Sequence, residues 1–371
     1  MKLLFLDRAT LQYKDNAYVG SIYEIVLDMV LIQRSTFLVN KTNINCVIGD
    51  VIVLQNKRFS YIGILESIEL TEDNTTTIKS LDFREIFDIE IPVSSFTGDL
   101  VDYLYSLIET HFISNPDNKQ NLSYLTICKE ASVSGTVSFE SDKITSMSEV
   151  FELVSKGYGI SFQTSVTYLR GRIIGIIFRI VEIEQGMVIK SDFSAILNIS
   201  TNDSSSQLVN KVIFYPRSDN ETYQSIRIFY LLTNGEITED QDSEFRYTSV
   251  MSKSFIYNDN DYDTLETKTR SEMVTSKLDH NITFTLDLNN QVFVLFENLN
   301  LGDYVSFIHK NKTYDTVVTG IKLKDSLNYA QITLGEYRVK LTEKIQLLSK
   351  NTGSNVSNIT VTKTDIDGGE F

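Results

Sequence analysis

A strand–turn–strand pattern occurs twice in this chain, and this repeat restricts the possible folds more than any other feature. The first copy begins at Gly49-Asp50 and the second at Gly302-Asp303, 253 positions later. Six of the 22 positions from 49 to 70 are identical at this offset. The identical pairs are Gly49/Gly302, Asp50/Asp303, Lys57/Lys310, Tyr61/Tyr314, Ile68/Ile321 and Leu70/Leu323.

The two copies also keep the same phase of apolar residues. Equivalent positions are Ile52/Val305, Leu54/Phe307 and Ile64/Val317, and a one-residue shift in the next turn pairs Ile78 with Ile332. A one-residue slip would invert the faces of a strand, so both copies present the same faces to a core. Two unrelated hairpins can score nearly as well, but we interpret the pattern as duplication, which predicts two related β-barrels.

The rest of the chain predicts further domains. Strand-like segments fill residues 1–92, and Pro92 marks a change to mixed helices and strands. The predicted fold is mainly β with an α+β insertion: two related β-barrel domains plus a small α+β domain. The predicted domains are a first barrel at 1–92, an α+β domain at 93–203, a second barrel with a preceding hairpin and helix at 204–345, and a polar tail at 346–371.

Two helices are predicted within the α+β domain. The first lies within 97–111, where four apolar residues have helical spacing: Leu100, Leu104, Leu107 and Ile108. The second follows the capping-box pattern Ser146-Met-Ser-Glu149, and Gly157 is expected to end it in the left-handed conformation. Its apolar face consists of Val150, Phe151 and Val154. Strands at 160–169 and 173–183 follow, joined by a turn at Arg170-Gly171.

Three elements are predicted after a polar linker at 202–207. Asn234-Gly235 between apolar segments is a strong hairpin signal, because both turn residues need positive φ. Residues 261–277 predict an exposed helix that carries Leu265 and Met273. Ile282, Phe284 and Leu286 then alternate with polar residues, as in a half-buried strand.

Composition excludes several classes of function. A net charge of -15 disfavours a nucleic-acid-binding surface. Three His and two Cys provide neither an ordinary zinc site nor a disulfide framework. Asp7 and Arg8 interrupt the apolar start of the chain, so no signal peptide is predicted. The longest later apolar run, residues 173–178, is too short to span a bilayer.

Catalytic motifs are scarce. His111, His280 and His309 are scattered, while Cys46 and Cys128 are interpreted as small buried hydrophobic residues. Gly157-Tyr-Gly159 lacks the third glycine of a dinucleotide loop. The acidic pairs Glu182/Glu184 and Glu66/Glu69 are expected by chance among 49 acidic residues. We therefore predict a non-enzymatic protein with no catalytic, cofactor-binding or metal-binding residues and no cofactor.

One acidic cluster leaves a metal site open as an alternative. Asp259, Asp261 and Asp263 alternate along the chain, and alternate acids can converge on calcium. The segment lacks the glycine and glutamate of an EF-hand loop. A solvated turn, with acids favouring the start of the next helix, is the preferred interpretation.

An ordered succession of motifs carries a family resemblance. The motifs are Phe229-Tyr-Leu-Leu-Thr-Asn-Gly-Glu-Ile-Thr238, Arg246-Tyr-Thr-Ser-Val250, Leu278-Asp-His-Asn-Ile-Thr-Phe284, Leu301-Gly-Asp-Tyr-Val305, Tyr314-Asp-Thr-Val-Val-Thr-Gly-Ile321 and Leu334-Gly-Glu-Tyr-Arg-Val-Lys-Leu-Thr342. Their order resembles the tail-hub (tail-associated, Tal-like) baseplate proteins of siphophages of Gram-positive bacteria, which are related to the central hub of contractile-tail phage baseplates. Residues 49–68 resemble the first barrel of that family, and the resemblance covers about 40–90 and 205–345.

The resemblance implies a structural protein of the virion. In such hubs, two tube-forming barrels per chain and three chains give six barrels, which match a six-fold tail tube. A homotrimer is thus expected to cap or gate the distal end of the tube at the baseplate. The implied partners are the distal tail protein, receptor-binding proteins and the tape measure protein, with transient contact to the host cell wall. DNA is expected to pass through the channel without specific binding.

Two alternative functions stay open beside the tail hub. The chain stops at Phe371, and in this it resembles the short, hydrolase-lacking hubs of lactococcal-type siphophages. A receptor- or carbohydrate-binding baseplate module is the alternative, and a cell-wall hydrolase is less favoured. Opening of the gate is expected to involve a swing of domains about linkers near Pro92 and Ser204.

Overall fold

The N-terminal segment of this protein forms a closed barrel in its computed structural model. Its strands β1 to β6 span Lys2–Leu6, Tyr13–Asp28, Arg34–Val39, Val51–Gln55, Ser60–Leu70 and Thr76–Asp82. They pair in the order β1-β4-β5-β6-β3-β2, and β1 also pairs with β2, which closes the sheet. The structure describes residues 1–56, 59–71, 73–137, 139, 144–183, 185–203, 209–233, 236–248, 250–274, 280–325 and 328–335.

Strands β1 and β4 are buried on both faces. On β1, Leu3 and Phe5 belong to the barrel core, whereas Leu4 and Leu6 belong to a second core shared with the next domain. On β4, the four residues 51–54 are all buried in the same alternating way. This double burial explains why both strands are continuous apolar runs without period-two alternation.

Residues 83–183 form a mixed domain that packs on this wall of the barrel. Its strands β7 to β13 span Glu90–Pro92, Phe96–Asp99, Leu125–Lys129, Ser134–Val137, Ile144–Ser146, Ile160–Leu169 and Arg172–Glu182, and its helices α1 and α2 span Leu100–Ile108 and Met147–Tyr158. Strand β13 pairs with β12 antiparallel and with β9 parallel. Phe87 lies at the centre of the core, with ring contacts to Phe112, Phe151 and Phe178.

Helix α2 confirms its predicted start and corrects its predicted end. The Ser146 hydroxyl accepts a hydrogen bond from the Glu149 N–H at 3.2 Å. The helix continues through residue 157 and ends at Gly159, which has a φ of +66°. Gly157 was therefore the wrong cap, since either glycine fits the local pattern and only the packing of the last turn separates them.

The predicted hinge at Pro92 is also corrected. Pro92 is the last residue of β7, which pairs with β11, and its neighbours Ile91 and Val93 are buried in the domain core. A swing about this point would break both the strand pair and the core. Ser204, the other predicted hinge, lies outside the described residues.

Strands of a second barrel flank an inserted sheet. After β14 (Gln185–Lys190) and β15 (Ile196–Asp203), the insertion contains β16 to β19 and α3, at Lys211–Pro216, Arg227–Leu231, Ile237–Thr238, Ser252–Tyr257 and Leu265–Val274. The barrel resumes with β20 to β23, at His280–Asp287, Tyr304–His309, Lys312–Lys324 and Tyr329–Leu334. The six barrel strands lie in the order β14-β21-β22-β23-β20-β15, with β14 parallel to β21.

The insertion has its own small core and one unexpected contact face. Helix α3 buries Leu265, Thr269 and Met273, which are four residues apart, so the helix predicted to be exposed is buried along one side. Its Thr267 hydroxyl donates to the Thr136 carbonyl of the mixed domain at 3.2 Å. The predicted turn at Asn234-Gly235 lies outside the described residues, as does the tail at 346–371.

The two barrels share one sheet and one core. Strand β2 pairs with β22, from Glu24↔Lys324 to Asp28↔Gly320, and the interiors of both barrels form a single apolar cluster. Strands β14 and β15, which fall within the segment 93–203 predicted as the α+β domain, pair with β21 and β20 of the second barrel. Among the described residues, no helix is both long and apolar enough to cross a membrane.

Candidate assembly surface

The turns that open the two repeats have the same backbone geometry. Gly49 has a φ of +93° and Gly302 a φ of +87°. The Gly49 N–H donates to the Leu65 carbonyl at 2.8 Å, and the Gly302 N–H donates to the Val318 carbonyl at 2.8 Å. Positive φ favours glycine, which explains why this residue type occurs in both copies.

The aspartates that follow these glycines fix the turns in the same way. An Asp50 carboxylate oxygen accepts the Val47 N–H at 2.8 Å, and an Asp303 oxygen accepts the Asn300 N–H at 2.7 Å. Their electrostatic surroundings differ. Lys14 forms an ion pair with Asp50 at 2.7 Å, whereas no basic side chain of the described residues pairs with Asp303, and burial raises the pKa of Asp303.

Strand register and irregularities also repeat. Each copy carries a bulge at the same position, between Leu65 and Ser67 and between Val318 and Gly320. Equivalent strand pairs are Leu54↔Tyr61 with Phe307↔Tyr314, and Ile68↔Ile78 with Ile321↔Ile332. The duplication predicted from six identities is thus confirmed at the level of register and hydrogen bonding.

The surroundings of the two turns are different. A Cβ atom placed on Gly302 would lie 1.9 Å from the Ser161 Oγ, and that hydroxyl donates to the Leu301 carbonyl at 3.3 Å. Around Gly49 the nearest atom belongs to the flexible side chain of Arg8, at 3.7 Å. The second turn is therefore seated on the mixed domain, while the first turn is open.

The junction between the barrels buries the strands of the second repeat. Lys322 on β22 forms an ion pair with Glu24 on β2 at 2.6 Å. Beneath it, Ile25 of β2 and both Ile321 and Leu323 of β22 are buried in the shared core. Backbone pairing and apolar burial together hold the two barrels in one relative orientation.

A buried arginine fixes the loop at the end of this junction. The Arg84 guanidinium pairs with Asp82 at 2.9 Å and donates to the carbonyls of Asp28, Met29 and Leu31. These carbonyls belong to the last residue of β2 and to the loop that follows it. Because the planar guanidinium satisfies several acceptors at once, Arg84 holds the chain where β2 leaves the second barrel.

In the part of the chain that the structure describes, the residues considered for catalysis are not brought together. Burial and the nearby Asp50 and Asp15 carboxylates raise the pKa of Cys46 to about 11, which disfavours the nucleophilic thiolate. Both cysteines are free and half-buried. Glu66 pairs with Arg34 and Glu69 with Lys79.

Of the histidines, the structure describes the side chains of His111 and His309, which lie on separate elements. Burial lowers the pKa of His111. The Nδ1 atom of His309 is buried on β21. The side chains of His280 and Glu184 lie outside the described residues. The prediction that the chain has no catalytic or cofactor-binding residues stays a prediction.

The acidic cluster at residues 259–263 accepts hydrogen bonds from its own turn and from the loop at residues 221–223. The Asp259 carboxylate accepts backbone N–H groups from Glu221, Thr222 and Tyr223 at 2.7, 3.1 and 2.8 Å, which lowers its pKa. Asp261 accepts the Asn258 N–H at 3.1 Å. No group of His, Cys, Asp and Glu with metal-binding geometry occurs among the described residues. These contacts are those of a capped turn, and the absence of a metal site stays a prediction.

The fold of this chain resembles those of known structures. Prophage tail protein gp18 from Listeria monocytogenes EGD-e superposes with a TM-score of 0.53 at 13% identity, over 94% of this chain and 99% of its own. This chain has the fold of a phage tail protein. The 43 kDa tail protein of prophage MuSo2 from Shewanella oneidensis gives a TM-score of 0.53 at 10% identity, over 91% of this chain and 99% of its own.

A third structure agrees, while sequence comparison adds no relative. The tail protein from Neisseria meningitidis MC58 gives a TM-score of 0.51 at 11% identity, over 90% of this chain and 96% of its own. The sequence matches no protein-family model and no curated protein. The predicted mainly β fold and its likeness to phage tail proteins are confirmed. The siphophage type and the Gram-positive host stay predictions of the sequence resemblance.

Proposed function

We propose that this chain is a structural hub protein of a phage tail tip and assembles as a homotrimer at the distal end of the tail tube. The single observation that carries the proposal is the repeat of a six-strand barrel order within a chain whose fold matches phage tail proteins over nearly its full length. Three such chains present six similar barrels, which suits docking on a six-fold tube.

The proposed location and partners follow from this role. The trimer lies at the tail tip of the virion and binds the distal tail protein above it. Receptor-binding proteins and the tape measure protein are further proposed partners, with transient contact to the host cell wall. The net charge of -15 supports passage of DNA without binding, because like charges repel.

The proposed domain division follows the strand pairing. We place the first barrel at 1–82, the mixed domain at 83–183, and the second barrel from 185 to 335 with an inserted sheet and helix at 209–274. Compared with the division drawn from the sequence, this assigns β14 and β15 to the second barrel because their hydrogen bonds go there.

Solution mass tests the proposal. Light scattering of the purified protein, alone and with the purified distal ring of the tail, is expected to give a trimer that binds the ring. A protein that stays monomeric at all concentrations and does not bind the ring would contradict it. Binding of the monomer to a glycan array would favour the receptor-binding alternative, and clearing of host cell walls in a zymogram would favour a hydrolase.

Gating has its own test. Particles in which the three chains are cross-linked to one another are expected to adsorb normally but fail to release DNA. Normal ejection from fully cross-linked particles would show that the hub caps the tube without acting as a gate.

A further inference from the structure

We infer that the outer edge of β5, residues Ser67 to Leu70, is an interface that pairs with strand β15 of a second copy of this chain. The inference rests on the proposed assembly and specifies which surfaces meet. We call residues 67–70 the β5 edge.

Identical residues have opposite exposure in the two repeats. Ile68 and Leu70 on β5 are 37% and 63% exposed. Their counterparts Ile321 and Leu323 on β22 are 1% and 0% exposed. The neighbour on one side is equivalent in both cases, because β6 pairs with β5 as β23 pairs with β22.

The difference arises on the other side of each strand. Residues 320–324 of β22 pair with β2, whereas no strand among the described residues pairs with the outer side of the β5 edge. An unpaired edge that carries apolar side chains exposes N–H and C=O groups and is a template for strand addition. In the second repeat, the equivalent edge is covered by a paired strand, β2.

The repeat itself identifies the covering strand. In the first barrel β2 pairs with β3, and in the second barrel β15 pairs with β20, with a register shift in both pairs. Strands β3 and β20 are equivalent because Phe37 lies opposite Ile78 and Phe284 opposite Ile332. Strand β15 is therefore the counterpart of β2, and it ends the sheet with β20 as its one neighbour in the described residues.

A second copy is the partner that fits both edges. The operation that carries the first barrel onto the second brings β2 to β15 and β5 to β22. Applying the same operation to the second barrel generates the position of the first barrel of the next copy. In that arrangement β15 of one copy lies against β5 of the next, just as β2 lies against β22 within one chain. Such a head-to-tail contact uses two different surfaces and closes into a ring when the rotation permits.

The register of the contact is also specified. Within the chain, Ile25 lies opposite Leu323. The counterpart of Leu323 is Leu70. The counterpart of Ile25 is Thr201, since Glu24 faces Thr36 in the first barrel and Ser200 faces the equivalent Thr283 in the second. Leu70 of one copy is thus expected opposite Thr201 of the next.

Disulfide cross-linking tests this register. A chain with Leu70→Cys and Thr201→Cys, in a background with Cys46→Ala and Cys128→Ala, is oxidised and run on a non-reducing gel. Because each copy contributes one cysteine to each neighbour, the expected ladder reaches the trimer and stops. The matched control combines Leu70→Cys with Ile256→Cys, an exposed position on the inserted sheet, and is expected to stay monomeric on the gel.

A charge substitution gives an independent readout. Leu70→Arg is expected to raise the concentration at which half of the protein is monomeric by at least about tenfold. Ile256→Arg, at a similarly exposed apolar residue, is expected to leave it unchanged. Circular dichroism of both variants checks the fold, which is expected to persist because Leu70 is exposed in the single chain.

The outcomes separate this inference from the proposed function. A parent protein that is monomeric at all concentrations overturns both. A stable trimer that shows no cross-link between positions 70 and 201 and tolerates Leu70→Arg overturns the β5 interface alone. A ladder that continues beyond three chains supports the interface and contradicts the closed trimer.

Discussion

At the scale of single residues, the two repeats provide pairs of identical side chains in different surroundings. Asp50 and Asp303 make the same turn, but Lys14 neutralises only Asp50. Burial raises the pKa of Asp303 because the charged form loses hydration without gaining a cation. The same backbone hydrogen bonds therefore set the geometry of both turns, whereas the neighbouring cation and the burial set the electrostatics of each aspartate.

This difference predicts opposite effects of Asp→Asn at neutral pH. A carboxyl whose pKa is higher in the folded state favours folding below its unfolded pKa of about 4, and this contribution is lost as the pH rises. Asp303→Asn keeps an acceptor for the Asn300 N–H and removes the buried charge. In urea titrations, the free energy of unfolding of the variant minus that of the parent is expected to increase as the pH is raised from 4 to 7.

Asp50→Asn is the control for that experiment. It removes the ion pair with Lys14 and is expected to destabilise the protein at pH 7. If both variants respond to pH in the same way, the environment of Asp303 is not as described.

Arg84 is predicted to be sensitive even to lysine. Arg84→Lys keeps the charge but leaves buried carbonyls of residues 28–31 without donors, at a cost of about 2–4 kcal/mol. Arg34→Lys, at an exposed ion pair with Glu66, is expected to cost about 0–1 kcal/mol. Chemical denaturation of both variants measures the difference, and equal losses would contradict the role of Arg84.

Glycine-to-alanine substitutions are predicted to separate backbone strain from packing. Gly49→Ala introduces only the strain of positive φ, about 1 kcal/mol. Gly302→Ala adds a clash with Ser161 and is expected to cost about 2 kcal/mol more.

A double-mutant cycle checks the source of that excess. Adding Ser161→Gly to Gly302→Ala is expected to recover most of the additional loss in thermal denaturation. An excess that persists in the double variant would place the clash elsewhere.

At the scale of elements, the inserted sheet is an independent addition to a barrel hairpin. Asp203 on β15 lies directly opposite His280 on β20, so the chain leaves the barrel and returns at one point. The insertion also keeps its own apolar core. Its removal should therefore leave the barrel strands in place.

This arrangement predicts that residues 204–279 can be replaced by Asn-Gly, which forms a two-residue hairpin turn. The shortened chain is expected to fold with a single cooperative transition, at a somewhat lower Tm because α3 no longer covers the mixed domain. Circular dichroism and calorimetry measure this. Loss of the cooperative transition would show that the barrels need the insertion.

At the scale of the whole molecule, charge opposes the proposed association. Each chain has a net charge of -15, so copies repel one another at low ionic strength. Raising the salt concentration from about 20 mM to about 500 mM is expected to lower the concentration at which the trimer is half dissociated. Sedimentation measures it, and weaker association in high salt would indicate that ion pairs dominate the interface.

The sequence predicted best those features that depend on neighbouring residues. The alternation of Ile282, Phe284 and Leu286 identified a half-buried strand, and Ser146 with Glu149 identified the start of α2. It failed where two local solutions are equally good. Gly157 and Gly159 both fit a helix end, and Pro92 fits a linker as well as the end of a paired strand.

The sequence by itself determined that this protein is mainly β, that it contains one barrel twice, and that each copy opens with a glycine and an aspartate in a turn. These properties follow from local backbone preferences and from burial that alternates with period two. Both are contained in the sequence of each repeat. Only the tertiary structure decided that β2 covers β22 while the equivalent edge of β5 pairs with no further strand of the described residues. Ile68 and Ile321 are the same residue in the same register, so their different exposure depends on strands hundreds of residues away along the chain.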